Sequence, residues 1–368
     1  MKRKKKVLFI SNYEADTAPG QRFRFEQYFD FLNANGYDCR LSPILTAPQT
    51  RMLHSKGHYL SKAVVLLAGF FNRLGDVMRA SSYDLIFICR EAYIAGPAIF
   101  EWLIQRSGVP VIYDFDDAIW IENVSEANYL FRHLKYPQKI PAIINKANLV
   151  FAGNRFLYEY AKQFNPSAMV VPTTIDTQLY HVKKDKKTDE PVCIGWSGSV
   201  TTIQHFTLAV PVFKLLHEKY GNRIRFRVIG DASYKNEDLG IKGIAWSKET
   251  ETRDLSEIDI GIMPLPNDTW SKGKCGLKGL QYMALGIPTV MSPVGVNTEI
   301  VQDGANGFLA TTTEIWVEKI SQLIESPELR RTIGEAGRET VVRFYSCLSQ
   351  QSVYLAAFNR LSGIQTNP

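Results

Sequence analysis

Short runs of apolar residues alternate with longer amphipathic stretches along the first half of the chain. The runs at residues 7–10, 85–89, 109–113 and 149–152 predict buried β-strands. After the first run, a polar loop with a glycine leads into residues 22–35, where apolar side chains recur at helical spacing and Gly36 follows as a stop. Repeated strand, loop and helix are typical of a parallel sheet that helices cover on both faces.

The same pattern starts again after a hydrophilic break. Residues 181–190 contain four lysines, two aspartates and one glutamate, and they predict a linker. Residues 192–196 and 258–263 predict further strands, and Ser199 or Thr201 predicts the cap of a helix that runs through Tyr220. The chain therefore predicts an α/β protein with an N-terminal domain over residues 1–180 and a C-terminal domain over residues 191–345. The helical stretch at residues 333–361 is long for one helix and is expected to bend near residues 345–346.

Composition excludes several classes of protein. With 45% apolar and 22% charged residues, the 368-residue chain is neither disordered nor collagen-like. The longest apolar run, residues 63–71, is about half of the ~20 residues that cross a bilayer. The five cysteines form no CxxC pair and the six histidines show no metal-ligand spacing, so neither a disulfide framework nor a metal site is expected.

The net charge of +6 is unevenly placed, because residues 2–6 form a solid basic block. The apolar run that follows the block is too short for a signal peptide, so the chain is expected to stay in the cytoplasm. Two interpretations of the block remain open. It is either a solubilising start of the first strand or a contact for anionic lipid headgroups.

The densest chemical signal lies in residues 270–288, in a loop and helix that follow a predicted strand. The helix is expected to begin near Lys274, which would place Lys274, Lys278 and Gln281 on one face. Lysines in the first turns of a helix oppose its dipole unless an anion binds there. Gly273 and Gly276 would let the backbone approach such an anion closely. Because of these glycines, phosphate binding is favoured over a merely solvated lysine face.

Several motifs of this sequence resemble glycosyltransferase family 4. The longest matches are Asp-Ile-Gly-Ile-Met-Pro at 259–264, Gln-Tyr-Met-Ala-Leu-Gly-Ile-Pro at 281–288, Ser-Pro-Val-Gly at 292–295 and Asp-Gly-Ala-Asn-Gly-Phe-Leu at 303–309. Shorter matches occur at 111–120, 171–176, 194–199 and 228–231. The resemblance implies a GT-B fold, in which two Rossmann-like domains face each other across a cleft and residues 346–368 pack back on the first domain. It also implies a retaining transferase with a nucleotide-sugar donor, held mainly by the C-terminal domain, and no metal or other cofactor.

The resemblance assigns residues to the donor, with one departure. Family members usually carry two glutamates separated by seven residues, and Gly273 and Gln281 stand at these positions. Gln281 can hydrogen-bond a ribose hydroxyl without charge, whereas Gly273 offers only backbone. Lys274 and Lys278 are expected to replace the basic pair that the family places at the diphosphate. The remaining expected donor contacts are Gly198, Ser199, Cys275, Gly276 and Leu277.

An acidic cluster, Asp114-Phe-Asp-Asp117, follows one of the predicted strands of the N-terminal half. The loops after the strands of α/β sheets carry ligand-binding groups. The resemblance places Asp116 where the family contacts the donor sugar, so Asp116 joins Lys274 and Lys278 as an expected catalytic residue. Asp117 is expected either to contact the acceptor or to cap the next helix. The Asp-x-Asp pattern also suits a metal ion, but the two predicted sheets favour the metal-independent GT-B interpretation.

The loop after the first strand is a second candidate for acceptor binding. Gly20, Arg22 and Arg24 lie in this loop, which the family places near the transferred sugar and the acceptor. A guanidinium matches phosphate with two hydrogen bonds, so Arg22 and Arg24 are expected either to hold an acceptor phosphate or to be exposed residues of the first helix. Arg90 and Glu91, at the end of another strand, are further candidates of the same kind.

Residues 54–79 combine a nearly continuous apolar middle with basic residues. Such a segment forms either a helix packed in the core, which the apolar middle favours, or a helix in a membrane interface. The second alternative would place the protein peripherally on the inner face of the membrane and make a polyprenyl-diphosphate-linked saccharide a natural acceptor. Nucleic-acid binding is not expected, because the basic residues are not interleaved with aromatic residues along one element.

The sequence thus predicts a retaining glycosyltransferase that moves a sugar from a nucleoside diphosphate to a saccharide or lipid-linked saccharide. The expected setting is the synthesis of a cell-surface polysaccharide or glycoconjugate. Two alternatives stay open. One is a catalytically silent GT-B scaffold that partners another transferase, which the missing glutamates suggest, and the other is a nucleotide-sugar epimerase of related fold.

Overall fold

The computed structural model describes residues 3–55, 57–122, 135–182 and 190–364. The chain divides into two compact units. The first, called the N-terminal unit, runs to Thr173 and takes in the chain again from Gln350, and the second, called the C-terminal unit, runs from Thr174 to Ser349. The boundary lies at Thr173, where the sequence suggested residue 180, and most of the expected linker, residues 183–189, lies outside the described residues. Residue 2 of the basic block lies outside them too.

A six-stranded parallel sheet forms the centre of the N-terminal unit, in the order β2-β1-β3-β4-β5-β6. Its strands are β1 (Lys5–Tyr13), β2 (Tyr37–Leu45), β3 (Leu85–Cys89), β4 (Val111–Phe115), β5 (Leu149–Ala152) and β6 (Ala168–Val170). Every residue of β3, β4 and β5 is buried, as expected for parallel strands with helices on both faces. The four strands predicted for this half are confirmed, and β1 already begins inside the basic block.

Helices connect these strands. They are α1 (Pro19–Arg22), α2 (Phe29–Ala34), α3 (Ala47–His54), α4 (Tyr59–Arg79), α5 (Ile99–Arg106), α6 (Ile140–Lys146) and α7 (Arg155–Lys162), with 3-10 turns at Glu26–Tyr28, Ala80–Ser82 and Pro137–Lys139. The single helix expected over residues 22–35 is wrong. The backbone at Phe25 leaves the helical region while its ring stacks on Phe9, 5.3 Å away, so the chain forms α1, a turn and α2 instead. Within the described residues, the helices are all too short or too polar to cross a membrane.

A seven-stranded sheet forms the centre of the C-terminal unit, in the order β13-β12-β11-β7-β8-β10-β9, and β9 runs antiparallel to β10. The strands are β7 (Val192–Ser197), β8 (Ile224–Ile229), β9 (Lys235–Asn236), β10 (Ile241–Ile244), β11 (Ile260–Met263), β12 (Thr289–Met291) and β13 (Phe308–Leu309). The strands expected at residues 192–196 and 258–263 correspond to β7 and β11.

The helices of the C-terminal unit are α8 (Ile203–Thr207), α9 (Val210–Tyr220), α10 (Glu251–Ser256), α11 (Thr269–Lys272), α12 (Leu277–Ala284), α13 (Asn297–Ile300), α14 (Thr313–Glu325) and α15 (Pro327–Phe344), with 3-10 turns at Val200–Thr202 and Gly221–Arg223. Ser199 caps the first of these turns, but no single helix runs through Tyr220. The helical path breaks before Pro211, which lies in the first turn of α9, where the missing amide hydrogen does no harm.

The end of the chain returns to the N-terminal unit. Helix α15 is followed by α16 (Cys347–Ser362), so the bend expected near residues 345–346 is confirmed. The Tyr354 ring of α16 stacks on Tyr28, with ring centroids 4.0 Å apart. The prediction of a GT-B fold built from two Rossmann-like α/β units is confirmed.

Two glycines let the loops after β7 and β8 touch at the carboxyl edge of the C-terminal sheet. The Gly198 amide donates to the carbonyl oxygen of Ile229 at 2.9 Å, and Gly230 has a φ of +118°. A Cβ on Gly230 would lie 1.9 Å from the carbonyl oxygen of Gly198. The loops therefore pack more closely than any residue with a side chain allows.

We expect Gly230→Ala to lower the free energy of unfolding of the C-terminal unit by about 3 kcal/mol or more, because it adds a backbone clash to an unfavourable φ. Gly240→Ala is the matched control. Gly240 also has a positive φ, +62°, but no atom of the described residues lies within 4 Å of its Cβ position, so the expected loss is about 1 kcal/mol. Chemical denaturation of both variants checks the difference, and equal losses would contradict it.

Candidate active site

The segment expected to bind phosphate lies between β11 and β12. Gly276 adopts the left-handed conformation, with φ +70°, and precedes the first residue of α12. The helix therefore begins at Leu277 and not near Lys274, so Lys274 lies in the turn before the helix and Lys278 in its first turn. The prediction that Lys274, Lys278 and Gln281 share one helical face is wrong, because the left-handed residue redirects the chain between the two lysines.

Packing against the sheet fixes the orientation of α12. The Tyr282 ring lies on Gly261 of β11, where a Cβ would come within 2.4 Å of the ring. The Tyr282 hydroxyl accepts a hydrogen bond from the Ser197 amide, at the end of β7, over 2.7 Å. Burial raises the pKa of Tyr282 to about 12, so the phenol stays neutral. These contacts hold α12 beside the carboxyl end of β7, next to Gly198.

Lys274 and Lys278 each lie over an indole ring. The Lys278 Nζ atom is 4.8 Å from the ring centroid of Trp196, and the Lys274 Nζ atom is 4.9 Å from that of Trp270. The negative face of an indole attracts a cation, so each ring orients an ammonium group that is itself half-buried. The sequence indicated the two lysines but not the rings that hold them.

His205, on α8, is a third group of this cluster, which the sequence pattern does not indicate. The side chain is buried. Burial, together with the charges of Lys278 and Lys274, lowers the pKa of His205 to about 4. The imidazole is therefore uncharged at neutral pH. It adds a hydrogen-bonding group to the cluster without adding charge.

Buried polar atoms around this segment lack hydrogen-bond partners among the described residues. They are Trp196 Nε1, His205 Nδ1, Ser271 Oγ and Asn297 Oδ1. The Asn297 oxygen lies 3.6 Å from the Cβ position of Gly276, at the start of α12. Because buried polar atoms of native proteins are nearly always hydrogen-bonded, these atoms are suited to bind water or a ligand.

The turn from Gly273 to Leu277 presents mainly backbone. Gly273 and Cys275 are buried, and the Cys275 thiol donates to the Gly273 carbonyl oxygen over 3.8 Å. A Cβ on Gly276 would lie 2.4 Å from Cδ1 of Ile300, so only glycine fits there. Leu277 is half-buried. The amide groups at this helix start are the donors that an anion would use.

The loop after β7 supplies the other two expected donor contacts. Gly198 is half-buried at the carboxyl end of the strand, and Ser199 is exposed. The Ser199 hydroxyl lies 3.2 Å from the Thr202 hydroxyl, within the capping box of the 3-10 turn. Ser199 thus has a local structural role, and its exposure leaves it accessible to a ligand as well.

Gln281 belongs to a buried hydrogen-bond network. Its Nε2 atom donates to the Tyr180 hydroxyl at 2.8 Å and to Glu251 Oε1 at 3.3 Å. Glu251 also accepts from the Tyr180 hydroxyl at 2.9 Å and from the Trp246 indole at 2.8 Å. The Gln281 nitrogen is therefore committed within the protein, and the amide oxygen is the atom that remains for the predicted hydrogen bond to a ribose hydroxyl.

In the N-terminal unit, Arg90 holds the acidic cluster that follows β4. Arg90 donates from Nε to Asp116 and from Nη2 to Asp117, both at 2.7 Å. Arg90 has a φ of +62°, which is uncommon for a residue other than glycine and costs about 1–3 kcal/mol. A Cβ on Gly20 would lie 2.9 Å from both Arg90 and Asp116. Gly20, Asp116 and Asp117 are thus brought together at the carboxyl edge of the sheet.

Arg24 and Asp114 form a buried ion pair in which neither side chain is exposed. Arg24 Nε donates to Asp114 Oδ2 at 3.2 Å, and its terminal nitrogens donate to Asp114 Oδ1 and to the Val171 carbonyl oxygen. Burial raises the pKa of Asp114, although the Arg24 charge opposes that shift. The expectation that Arg24 holds an acceptor phosphate is therefore corrected. Arg22 is half-buried, with its guanidinium carbon 4.9 Å from the Phe23 ring centroid.

We expect Arg24→Ala to lower the free energy of unfolding by about 3–5 kcal/mol, because Asp114 would remain buried without its counter-charge. Arg40→Ala is the control. Arg40 pairs with Asp38 at 3.1 Å, but their side chains are 58% and 38% exposed, so the expected loss is at most about 1 kcal/mol. Urea denaturation measures both losses. A loss for Arg24→Ala no larger than that for Arg40→Ala would argue against a structural role of the buried pair.

His205 is expected to make the stability of the C-terminal unit depend on pH. As the pH falls below 6.5, the unfolded state binds a proton that the folded state does not bind until about pH 4. The free energy of unfolding is therefore highest above pH 6.5 and falls as the pH is lowered from 6.5 to about 4. The loss reaches about 3 kcal/mol at the acid end of this range. Denaturation at a series of pH values should show that His205→Gln flattens this slope, whereas His217→Gln, on the exposed side of α9, preserves it. An unchanged slope in His205→Gln would contradict the assignment.

Residues 176–340 match the family model described as "Glycosyl transferases group 1". A stretch of 71 residues is 37% identical to the putative glycosyltransferase EpsD of Bacillus subtilis (strain 168). This match covers 19% of this chain and 19% of that relative, so the detectable identity spans about a fifth of each protein.

Structural similarity extends over almost the whole chain. A glycosyltransferase from Rickettsia africae ESF-5 has a TM-score of 0.67 and 13% identity, over 98% of this chain and 99% of that one. Anabaena Alr3699/HepE in complex with UDP-glucose has a TM-score of 0.64 and 15% identity, over 96% of this chain and 100% of that one. At such identities the similarity shows the fold. Residues 176–340 therefore match a glycosyl transferases group 1 domain, within a chain that has the GT-B fold.

Proposed function

We propose that this protein is a retaining glycosyltransferase, which transfers a sugar from a nucleoside diphosphate to a saccharide or lipid-linked saccharide. The observation that carries the proposal is the cluster of Lys274, Lys278 and neutral His205 at the start of α12. Two ammonium groups, the amides at the start of a helix and the positive end of its dipole together suit a diphosphate. The whole cluster lies inside the group 1 domain of residues 176–340.

In this proposal, Lys274 and Lys278 stabilise the charge that develops on the leaving diphosphate. Both are already held over indole rings, so little rearrangement is needed as the charge grows. His205 offers a hydrogen bond from an uncharged ring, and the Gln281 amide oxygen accepts one from a ribose hydroxyl. Retention would proceed on the front face of the donor, so no side chain is assigned as a nucleophile.

The N-terminal unit is assigned to the acceptor. Arg90 orients Asp116 and Asp117 by hydrogen bonds, and such fixed carboxylates are strong acceptors for sugar hydroxyls. We assign Asp116 to the transferred sugar, and Gly20, Arg22 and Asp117 to the acceptor. Because Arg90 already binds one oxygen of each acid, we propose that the reaction is metal-independent. The proposed setting is the synthesis of a surface polysaccharide or glycoconjugate at the cytoplasmic side of a membrane.

Nucleotide binding tests the donor site directly. Thermal unfolding is measured with UDP, GDP, ADP and CMP, each with manganese and with chelator. One diphosphate should stabilise the protein by about 2.7 kcal/mol at 100 times its dissociation constant, and the effect should survive chelator. UDP is the first candidate, because the similar HepE structure contains UDP-glucose. Stabilisation only with manganese would contradict the metal-independent reaction, and no stabilisation by any nucleotide would contradict the donor site.

Replacing Lys278 tests whether the same side chain serves both nucleotide binding and turnover. Lys278→Ala should abolish the nucleotide effect and lower turnover by about 10²–10³-fold, the loss typical when a preorganised electrostatic group is removed. Lys214→Ala is the control, since Lys214 lies on α9 with 53% of its side chain exposed, near Asp238. A folded Lys278→Ala protein with normal nucleotide binding and turnover would overturn the assignment.

The products of the purified chain distinguish the proposed transferase from its alternatives. A transferase releases a nucleoside diphosphate in step with glycosylation of an added acceptor. An epimerase alters the sugar without an acceptor. A chain that binds nucleotide but turns over no donor, with any acceptor tried, would act as a silent scaffold.

A further inference from the structure

Helix α4 leaves a long apolar stripe exposed. Leu60, Val64, Leu67 and Phe71 recur at helical spacing on one side, with exposures of 85%, 66%, 58% and 60%. Met78, 72% exposed, continues the stripe, which then extends about 27 Å along the helix. Soluble monomers rarely expose contiguous apolar surface of this kind unless it contacts something.

Polar side chains anchor the opposite side of α4. Arg73 is fully buried and donates to the carbonyl oxygens of Ala92 at 2.6 Å and Ser11 at 2.9 Å. Lys62 is buried as well and donates to the Ser55 carbonyl oxygen at 2.6 Å. The buried Asp76 carboxylate of the same helix compensates the Arg73 charge. The bonds to backbone carbonyl groups fix the helix with its apolar stripe outward. The core-packed interpretation of residues 54–79 is therefore wrong for the stripe.

Helix α5 extends this apolar surface. Phe70 of α4 contacts Phe100 of α5, with ring centroids 5.0 Å apart. Ile99 and Trp102 of α5 are 50% and 38% exposed, and a groove of about 510 Å³ beside them separates α5 from α6. We call the exposed apolar side chains of the two helices the apolar face: Leu60, Val64, Leu67, Phe71, Ile99 and Trp102.

The charges that border the apolar face are positive. All residues of α4, α5 and α6 are described, and the carboxylates among them, Asp76 and Glu101, are buried. Arg79, Arg106 and Lys146 are exposed. These three helices therefore offer cations and no accessible carboxylate.

The basic block at the start of β1 adds charge at the far end of α4. Arg3 and Lys5 lie 3.6 Å and 3.3 Å from Asp84, just after the 3-10 turn Ala80–Ser82 that continues the helix. The Arg3 side chain is 74% exposed. Asp84 lies between the two cations and offsets only one of them, so this end of the helix keeps a positive charge.

We infer that the apolar face docks the N-terminal unit on the surface of an anionic lipid bilayer. The stripe would enter the boundary between headgroups and acyl chains, with α4 parallel to the surface. Trp102, whose ring lies 3.7 Å from the Arg106 guanidinium, has the side chain that prefers this boundary. The exposed cations would contact anionic headgroups. A second copy of this chain fits less well, because a symmetric interface would place the same cations against each other.

Co-sedimentation of the full chain with lipid vesicles tests the inference, which does not rest on the proposed transferase function. Vesicles of phosphatidylcholine alone are compared with vesicles that also contain phosphatidylglycerol. The protein should bind the anionic vesicles, and added salt should weaken the binding.

Leu67→Glu with Phe71→Glu should weaken vesicle binding about tenfold or more, since two apolar side chains can no longer insert. Arg106→Gln with Lys146→Gln should weaken anionic binding about 30-fold and leave neutral binding unchanged.

The matched control is Leu348→Glu with Phe344→Glu, which changes the same residue types at 57% and 51% exposure in the C-terminal unit. This pair should bind vesicles like the unaltered protein, and all variants should keep its unfolding temperature. The inference is overturned if the unaltered protein binds neither the neutral nor the anionic vesicles. It is also overturned if Leu348→Glu with Phe344→Glu loses as much vesicle binding as Leu67→Glu with Phe71→Glu. If the unaltered protein binds no vesicles but forms a dimer, and Leu67→Glu with Phe71→Glu dissociates that dimer, a second copy of the chain covers the apolar face instead of lipid.

Discussion

The coverage of both parallel sheets by helices decides where this protein can do chemistry. Strands such as β3, β4 and β5 are buried along their whole length, so they cannot present polar groups to a ligand from their faces. Polar groups can reach a ligand only where the strands end. The lysine and histidine cluster lies beside the carboxyl end of β7, and the Arg90 cluster lies where β3 and β4 end. Each of these two clusters therefore lies at the carboxyl edge of the sheet of its own unit.

The carboxyl edges of the two sheets carry different sets of charged groups. In the N-terminal cluster, one cation serves two carboxylates, because Arg90 lies 2.7 Å from both Asp116 and Asp117. The C-terminal cluster combines two lysines with a buried histidine. Its two lysines rest on indole rings, and they help to keep His205 unprotonated at neutral pH. Burial is the larger cause of the lowered pKa of His205, and the charges of the two lysines add to it. The same charges would attract a bound anion, and this is the physical reason for proposing the diphosphate there.

The strands could be predicted from the sequence because their burial is encoded locally, as unbroken apolar runs. The site was predictable only in part. Lys274 and Lys278 stand out by type and spacing, but the start of α12 depends on the left-handed Gly276, which spacing does not reveal. Arg24 was misassigned because its partner, Asp114, lies 90 residues away in the chain. His205 gave no signal at all, since its role depends on lysines that only the tertiary structure brings near it.

The orientation of helix α4 is a second feature that the sequence alone does not predict. Periodicity locates an apolar stripe on a helix, and the usual inference is that this stripe faces the core. In α4 the bonds of Arg73 to Ala92 and Ser11 decide the direction instead, because a buried guanidinium without these acceptors would be far more costly than exposed apolar side chains. Carbonyl groups near strand ends thus turn the helix outward. The same edge of the sheet that carries the Arg90 cluster therefore also determines which side of α4 is left exposed.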